Sequence, residues 1–403
     1  MFLEILIAVL LGIFAGIFTG ITPGVHINLV SLLVVSSAAY LSNIFSFTSL
    51  GVFIISMAIT HTFLDTLPAI FLGAPESETA MSVLPGHRLL LKGMGYEAVK
   101  LTIIGSLMSL LAALFLFPLF ILLVPYIYDK IQVYIGYSLI IIMIYMILIE
   151  KGIDKKFWSF FIFMVSGILG LLVFTIPNLG QPLFPLLSGL FGISMLIVSL
   201  MQKSEIPKQN ITDQIKVSNK ESIKAVGAAT LTGSFVSFFP GLGPAQAAVI
   251  GSQIVGSLEN YAFLILVGGI NTVNMAVSLV SMYTINKARN GAVLAIMQLL
   301  PSIDTKTLLL FIAASLFAGG IATFLTLYLA RFFVKLMEKV NYQKLCISVI
   351  IFITILVFYF SSWTSLLILL VSTAIGIIPN LLNIKRSHSM GCLILPVILF
   401  FIL

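Results

Sequence analysis

Charged residues are scarce in this sequence. Of its 403 residues, 9% are charged and 60% are hydrophobic, a balance far outside that of soluble domains. The longest polar stretch, 202–224, has too few apolar residues to bury a core of its own. The composition therefore excludes a soluble domain and predicts a polytopic membrane protein of the all-α class.

Cysteines and the common catalytic motifs are also missing. Cys346 and Cys392 each lie in an apolar run, so we expect neither a structural disulfide nor a CxxC metal or redox site. The chain has no GxxxxGK[ST] loop, which excludes ATP chemistry of the P-loop kind. It also lacks HExxH, GxGD and GxSxG, which argues against a membrane-embedded hydrolase. We therefore expect no enzyme, no cofactor, no metal site and no nucleic-acid partner.

The sequence consists instead of apolar stretches separated by short polar segments. A helix needs ~20 residues to cross the hydrocarbon core, and we predict roughly 10 to 14 membrane segments. The first stretch lacks the basic start and cleavage site of a signal peptide, so we expect a retained membrane helix. The stretches are 2–22, 101–127, 134–149, 157–177, 183–201, 307–330, 345–360, 365–383 and 390–403.

Most lysines and arginines fall into five clusters between these stretches. Consecutive clusters from 88 to 224 are separated by two apolar spans each, and so are the fourth and fifth clusters. All five can therefore lie on one side, which the positive-inside rule makes the cytoplasm. The loop after 101–127 is nearly uncharged, whereas the loop after its counterpart 307–330 is strongly basic, which predicts an inverted second half. We therefore predict a first repeat 1–201, a cytoplasmic linker 202–224, an inverted repeat 225–403, and both termini outside. The clusters are 88–100, 151–156, 203–224, 331–344 and 385–386.

A Pro-Gly pair interrupts an apolar stretch at the matching place in each half: Pro23-Gly24 and Pro240-Gly241. Proline cannot donate to the helical ladder and clashes with the preceding turn, which frees carbonyls upstream and amides downstream. Such backbone at membrane depth must be buried in protein or line a wet cavity. A single proline kink is more often structural, but matched breaks in inverted halves are typical of secondary transporters. We predict broken or re-entrant helices whose two breaks meet near the bilayer midplane.

Polar residues follow each break within an otherwise apolar stretch of sequence. The helix N-terminus after each break suits an anion. Asp65 is the only acid deep in an apolar run of the first half, and we predict that it acts in ion coupling together with His61. The alternative for Asp65 is a position near a helix end that water reaches. The predicted substrate-binding residues are Thr22, Pro23, Gly24, His26, Asn28, Pro240, Gly241, Gly243, Gln246, Asn271 and Asn274.

A polar segment from Gly73 to Lys100 completes the pattern. Its candidate functional residues are Pro75, Glu76, Ser77, Thr79, Gly86 and Lys92. The chain here resembles the large permease subunit of the tripartite tricarboxylate transporter family, which has Pro-Gly motifs in both halves and a proline loop. The further residues that carry the resemblance are Thr79, Ala80, Leu84, Gly86, Lys92, Gly93, Gly95, Ala98, the run Pro240-Gly241-Leu242-Gly243-Pro244, Asn271 and Asn274.

The resemblance implies a permease assisted by a small membrane subunit and a soluble solute-binding protein. Pro85 stands where the family has Asp, and such departures leave the tricarboxylate substrate open. The sequence favours a secondary transporter for a small, carboxylate-like organic anion in the cell membrane, coupled to Na⁺ or H⁺. The alternative is a carrier or flippase for an anionic lipid such as polyprenyl phosphate, and a membrane-embedded hydrolase is a remote third. Arg88 and Lys92 either recruit the solute or form a plain positive-inside loop.

Overall fold

The computed structural model describes residues 2–23, 27–74, 79–177, 179, 182–201, 207–212, 215, 217–238, 243–256, 260–287, 290–339, 341–361 and 363–403. Within these ranges every regular element is a helix. This confirms the predicted all-α polytopic class.

The first half contains α1 (Phe2–Ile21), α2 (Ile27–Ser36), α3 (Ala38–Leu41), α4 (Phe47–Leu64), a π-helical turn (Pro68–Leu72), α5 (Val83–Leu90), α6 (Gly95–Ile131), a 3₁₀ turn (Gln132–Tyr134), α7 (Ile135–Leu148), α8 (Ile153–Thr175), α9 (Leu183–Leu187), a second π-helical turn (Ser188–Ile193) and α10 (Ser194–Met201). The second half contains α11 (Asn219–Phe238), α12 (Pro244–Val255), α13 (Asn260–Ile285), α14 (Gly291–Leu299), α15 (Thr305–Lys339), α16 (Tyr342–Ser361), α17 (Trp363–Leu381), a 3₁₀ turn (Arg386–Met390) and α18 (Gly391–Ile402).

Nine of the described helical segments are long and apolar enough to cross a membrane. Three shorter apolar segments accompany them: Ile27–Ser36, Ile135–Leu148 and Arg386–Ile402. Together they fall within the predicted range. The spans formed by α4 and α13 are the most enclosed of the long ones, since nearly all of their residues are buried. These two helices therefore form the centre of the molecule.

Helices α1 and α4 pack side by side and run in the same direction. A methyl group on Gly12 would lie 2.5 Å from the Phe53 carbonyl oxygen, and one on Gly20 would lie 2.7 Å from Cβ of Leu64. The contacts advance in the same direction along both helices, so α1 and α4 are parallel. The connecting segment with α2 and α3 must then return to the side on which α1 starts.

Equivalent helices of the two halves run in opposite directions. The long helices α6 and α15 occupy the same place in the order of elements. Nε of Arg331 donates to the hydroxyl of Tyr96 at 3.3 Å, while a methyl group on Gly319 would lie 2.7 Å from Leu110. The start of α6 thus meets the end of α15, and the two helices are antiparallel. This is the geometry of an inverted repeat.

A pair of glycine contacts shows the same symmetry among the outer helices. A methyl group on Gly170 of α8 would lie 1.9 Å from the Cys392 carbonyl oxygen of α18. A methyl group on Gly376 of α17 would lie 2.3 Å from the Leu190 carbonyl oxygen in the second π-helical turn. Each half therefore packs one helix onto the last span of the other half, and both crossings depend on a residue without a side chain.

The described parts of the basic loops lie at one end of the molecule, which we call the basic end. The linker residue Gln209 is buried there: its side-chain oxygen accepts from the Gly95 amide at 3.0 Å and its nitrogen donates to the Leu90 carbonyl at 2.9 Å. Three other contacts join the remaining clusters: Arg331 with Tyr96, Lys155 with the Asn383 carbonyl, and Arg386 within electrostatic reach of Arg88. The common side predicted for these loops thus matches their positions.

The closest crossing of α6 and α13 predicts a stability effect. A methyl group on Gly105 would lie 2.0 Å from the Ile265 carbonyl oxygen, whereas one on Gly320 of α15 would meet no heavy atom within 4 Å. We expect Gly105→Ala to force the helices apart and to cost about 1–3 kcal/mol. Gly320→Ala, the matched control, should leave the midpoint of thermal unfolding in detergent unchanged or slightly raised. Equal midpoints for both variants would contradict this packing.

Candidate functional site

A threonine pair joins the two central helices. The hydroxyl oxygens of Thr62 in α4 and Thr272 in α13 lie 3.1 Å apart, and both side chains are buried. The Thr62 hydroxyl also donates to the Ile59 carbonyl at 2.8 Å. The Thr272 hydroxyl likewise lies 3.4 Å from the Gly268 carbonyl, so either hydroxyl can donate the hydrogen bond within the pair.

The threonine pair lies on the pseudo-twofold axis of the repeat. Its members are 210 residues apart in the chain. The same spacing relates Ser109 to Gly319 and Ile59 to Gly269, and the contact of Ser109 with Gly269 is repeated by Gly319 with Ile59. The two threonines are therefore equivalent residues that touch each other. The axis of an inverted repeat lies in the membrane plane, so this contact marks the midplane of the protein.

Asp65 lies one turn of α4 beyond the threonine pair and is 1% exposed. Its Oδ2 accepts a hydrogen bond from Nδ2 of Asn271 at 2.7 Å, across the boundary between the halves. Nε2 of His61 lies 3.9 Å from the same oxygen. Two predicted ion-coupling residues and one predicted substrate residue thus form a single polar cluster.

The second nitrogen of His61 is held by a residue that the sequence analysis missed. Nδ1 lies 3.1 Å from the hydroxyl oxygen of Thr19 in α1, and this hydroxyl donates to the Gly16 carbonyl at 3.3 Å. Nδ1 of His61 and the Thr19 hydroxyl are thus hydrogen-bonded, and Nε2 is the ring nitrogen on the Asp65 side.

The backbone of α4 is irregular directly after Asp65. α4 ends at Leu64, and Pro68 begins the first π-helical turn. The amide of Ala69 lies 3.5 Å from the Asp65 carbonyl oxygen, so the hydrogen bond between them is long and weak. Proline removes one donor from the ladder, and π-helical turns are frequent at functional sites. Asp65 is therefore placed where carbonyl oxygens are weakly bonded.

Asn274 adds a further oxygen near this cluster. It follows Asn271 by three residues in α13, so the two side chains share a helix face. Its Oδ1 is buried and has no hydrogen-bond partner within the part of the chain that the structure describes. Carboxylate, amide and hydroxyl oxygens are the ligands of hard cations. The cluster can therefore hold a cation, and Asp65 or His61 can instead take a proton.

The chain turns back into the molecule after α13. Nδ2 of Asn290 contacts Oγ of Ser278 at 3.3 Å, two turns before the end of α13. Oδ1 of Asn290 then caps α14 by accepting from the Val293 amide at 2.9 Å. A methyl group on Gly291 would lie 2.6 Å from the side chain of Asn28. This re-entrant segment, absent from the sequence analysis, brings the predicted substrate residue Asn28 against the second half.

The first half has a corresponding turn. A methyl group on the predicted loop residue Gly86 would lie 2.6 Å from Ile70, so α5 packs directly on the first π-helical turn. Nδ1 of His87 lies 3.1 Å from the Ile70 carbonyl, and Nε2 contacts the Tyr342 hydroxyl. Burial lowers the pKa of His87 to about 4. His87 is therefore neutral at physiological pH and donates from Nδ1 to Ile70.

The other predicted site residues lie in varied places. Oε1 of Gln246 accepts from the Gly243 amide at 2.9 Å, so both residues form the N-terminal cap of α12. Lys92 is exposed at the basic end, while Thr22 is half-buried and Pro23 and Thr79 are buried. Seven predicted residues lie outside the described part of the chain, and the meeting of the two breaks stays a prediction: Gly24, His26, Pro75, Glu76, Ser77, Pro240 and Gly241.

Comparison with known proteins decides the family. The model of the tripartite tricarboxylate transporter TctA family matches residues 6–391. The chain belongs to the TctA family. It is also similar to an uncharacterized protein of Methanocaldococcus jannaschii, with 32% identity over 359 residues that cover 87% of this chain and 88% of the relative. No solved structure matches. The resemblance seen in the sequence is confirmed, and this TctA protein is a member of a transporter family.

The axial threonine pair predicts a measurable coupling. We expect Thr62→Val and Thr272→Val to be non-additive in unfolding free energy, with a coupling of about 0.6 kcal/mol, the average for such pairs in membrane proteins. The measurement is a double-mutant cycle of unfolding in mixed micelles. Additive effects within error would mean that the two hydroxyls do not bond.

Proposed function

We propose that this TctA-family protein is a secondary transporter that couples Na⁺ or H⁺ to the movement of a small organic anion with carboxylate groups. The observation that carries the proposal is the contact of the buried Asp65 carboxylate with Asn271 of the opposite half. It joins the inverted halves one helical turn from their axis.

The electrostatics of Asp65 argue for a cation or proton at this place. An ionised carboxylate at membrane depth is costly, and such residues pair with cations, protons or one another. His61 supplies a titratable nitrogen 3.9 Å away. A cation bound by Asp65 and the amide oxygens would neutralise the charge and hold the two halves together. Its release would loosen the same contact, which is how one site links ion binding to movement of the halves.

The anion belongs at the helix ends after the two breaks. α2 begins shortly after Pro23, and α12 begins at Pro244 behind the Gly243 cap. Helix N-termini bind carboxylates through free amides. We assign the predicted substrate residues to this task, Asn28 and Asn274 among the described ones and Gly24, His26, Pro240 and Gly241 among the others.

The orientation and partners complete the proposal. The basic end faces the cytoplasm by the positive-inside rule, which places both termini outside and makes 202–224 a cytoplasmic linker between repeats 1–201 and 225–403. A small membrane subunit and a soluble solute-binding protein would deliver the anion from outside, as the family resemblance implies.

Removing the charge of Asp65 tests the coupling. We expect Asp65→Asn to keep the fold, since it preserves shape, and to abolish the Na⁺ or pH dependence of carboxylate uptake into proteoliposomes. Asp304→Asn is the matched control: Asp304 is exposed and caps α15 through the Thr307 amide, which asparagine does equally well. Unchanged ion dependence in Asp65→Asn would refute the coupling role. Transport of polyprenyl phosphate without any carboxylate uptake would establish the lipid carrier instead.

Cysteine labelling tests the orientation. Lys92 and Lys208 are exposed at the basic end, and Asp304 is exposed at the opposite end of α15. The native cysteines are buried. We expect a membrane-impermeant maleimide to label Lys92→Cys and Lys208→Cys only in inside-out vesicles, and Asp304→Cys only in right-side-out ones. The reverse pattern would overturn the orientation.

A further inference from the structure

Arg386 is a buried cation at the basic end. It begins the 3₁₀ turn between α17 and α18, in a loop whose sequence suggests a solvated positive-inside cluster. The structure instead leaves its side chain 5% exposed. The turn contacts α17 and α8 of the outer helices and also α12, and α5 borders the neighbouring second π-helical turn. Arg386 thus lies where the outer helices meet α12, the helix that follows the second break.

One nitrogen of the guanidinium is fully used by the protein. Nη2 donates to the carbonyls of Leu190 and Phe191 at 2.8 and 2.9 Å and approaches Oγ of Ser194 at 2.7 Å. The two carbonyls belong to the second π-helical turn, where wide spacing loosens the helical ladder. Nε and Nη1 are buried and have no hydrogen-bond partner among the described residues. The Nε and Nη1 hydrogen-bond donors of Arg386 are therefore not used in the contacts that Nη2 makes with the described residues.

The charge of Arg386 also has no acidic partner among the described residues. No acidic side chain of the described residues forms an ion pair with it, and the charge that acts on it, Arg88, has the same sign. Glu150, the acid beside the same 3₁₀ turn, lies 3.2 Å from Nε2 of His388 and is paired there. Burying a lone guanidinium costs several kcal/mol unless an anion accompanies it. A purely structural cap on two carbonyls would not require that charge.

We propose that Arg386 binds an oxyanion, a carboxylate or phosphate group, through its remaining N–H groups. Guanidinium and oxyanion form strong, charge-assisted hydrogen bonds. Oγ of Ser389 is likewise buried and without a partner in the described part of the chain, and it offers a further hydrogen-bond donor on the same turn. The exposed Arg88 draws the anion in from the cytoplasmic side. The site shares no residue with the Asp65 cluster and stands whether or not Asp65 couples a cation.

The variant Arg386→Gln tests the site. Glutamine can still donate to the two carbonyls but carries no charge. In delipidated wild-type protein we expect inorganic phosphate and citrate, at ionic strength matched with NaCl, to raise the thermal midpoint in a saturable way. Arg386→Gln should weaken the apparent affinity at least about tenfold, the loss of one charge-assisted contact. Arg88→Gln should weaken it less, and Lys344→Gln, at an exposed lysine of the basic end, should leave it unchanged.

A second experiment, with lipids, distinguishes whether the oxyanion belongs to a lipid or to a soluble molecule. Native mass spectrometry of protein from nanodiscs with phosphatidylglycerol or with phosphatidylcholine alone reports retained anionic lipid. Retention by wild-type protein and loss in Arg386→Gln would assign the site to a lipid phosphate, whereas displacement by citrate would assign it to a soluble anion. Equal binding of every probe by Arg386→Gln and wild type, or no binding above the NaCl control, would overturn the proposal.

A measurement on wild-type protein covers the case that Arg386→Gln does not fold. Hydrogen–deuterium exchange should slow in the segments 188–194 and 386–391 when phosphate, citrate or the retained lipid is present. These segments contain the Arg386 side chain and its carbonyl partners. Unchanged exchange in both segments with all three probes would also refute the site.

Discussion

The close crossing of α6 and α13 is the contact on which the centre of the molecule depends. Helices in lipid gain no hydrophobic energy from association, so small residues and interhelical hydrogen bonds hold them together. Gly105 and Gly268 let the two backbones touch, and Ser106 donates to the Gly268 carbonyl at 3.0 Å. This fixes the depth and rotation of α13. Asn271 is thereby directed at Asp65.

Two buried ionisable groups of opposite charge lie in different parts of the molecule. Asp65 lies between the central helices near the axis, and Arg386 lies where the outer helices meet the basic end. A single charge in hydrocarbon is expensive, so each group needs a counter-charge from the protein, from a bound ion or from a solute. Under the proposed function, in which a cation moves together with an anion, Asp65 and Arg386 would provide one place for each charge.

The sequence predicted well those features that depend on local chemistry. Hydropathy and the five basic clusters predicted an all-α membrane protein with its basic loops on one side, because each span must satisfy its own backbone and each loop is short. The proline pairs indicated the ends of α1 and α11. The lone acid in an apolar run singled out Asp65, and the polar residues after the second break included Asn271; their functional roles stay predictions.

Contacts between residues distant in the chain could not be predicted in this way. Thr19 holds His61 across 42 residues and Asn290 reaches back to Ser278, yet neither belongs to a motif. The side chain of Gln246, a predicted substrate-binding residue, caps α12 by accepting from the Gly243 amide, a contact that the sequence did not predict.

The sequence alone determined the membrane class, the family and the duplicated breaks, since composition and short motifs are properties of neighbouring residues. Only the tertiary structure decided that Asp65 meets Asn271 beside the axis, and that Arg386 is buried rather than solvated. Whether a charge is exposed depends on which helices pack around it, and that packing joins segments about two hundred residues apart.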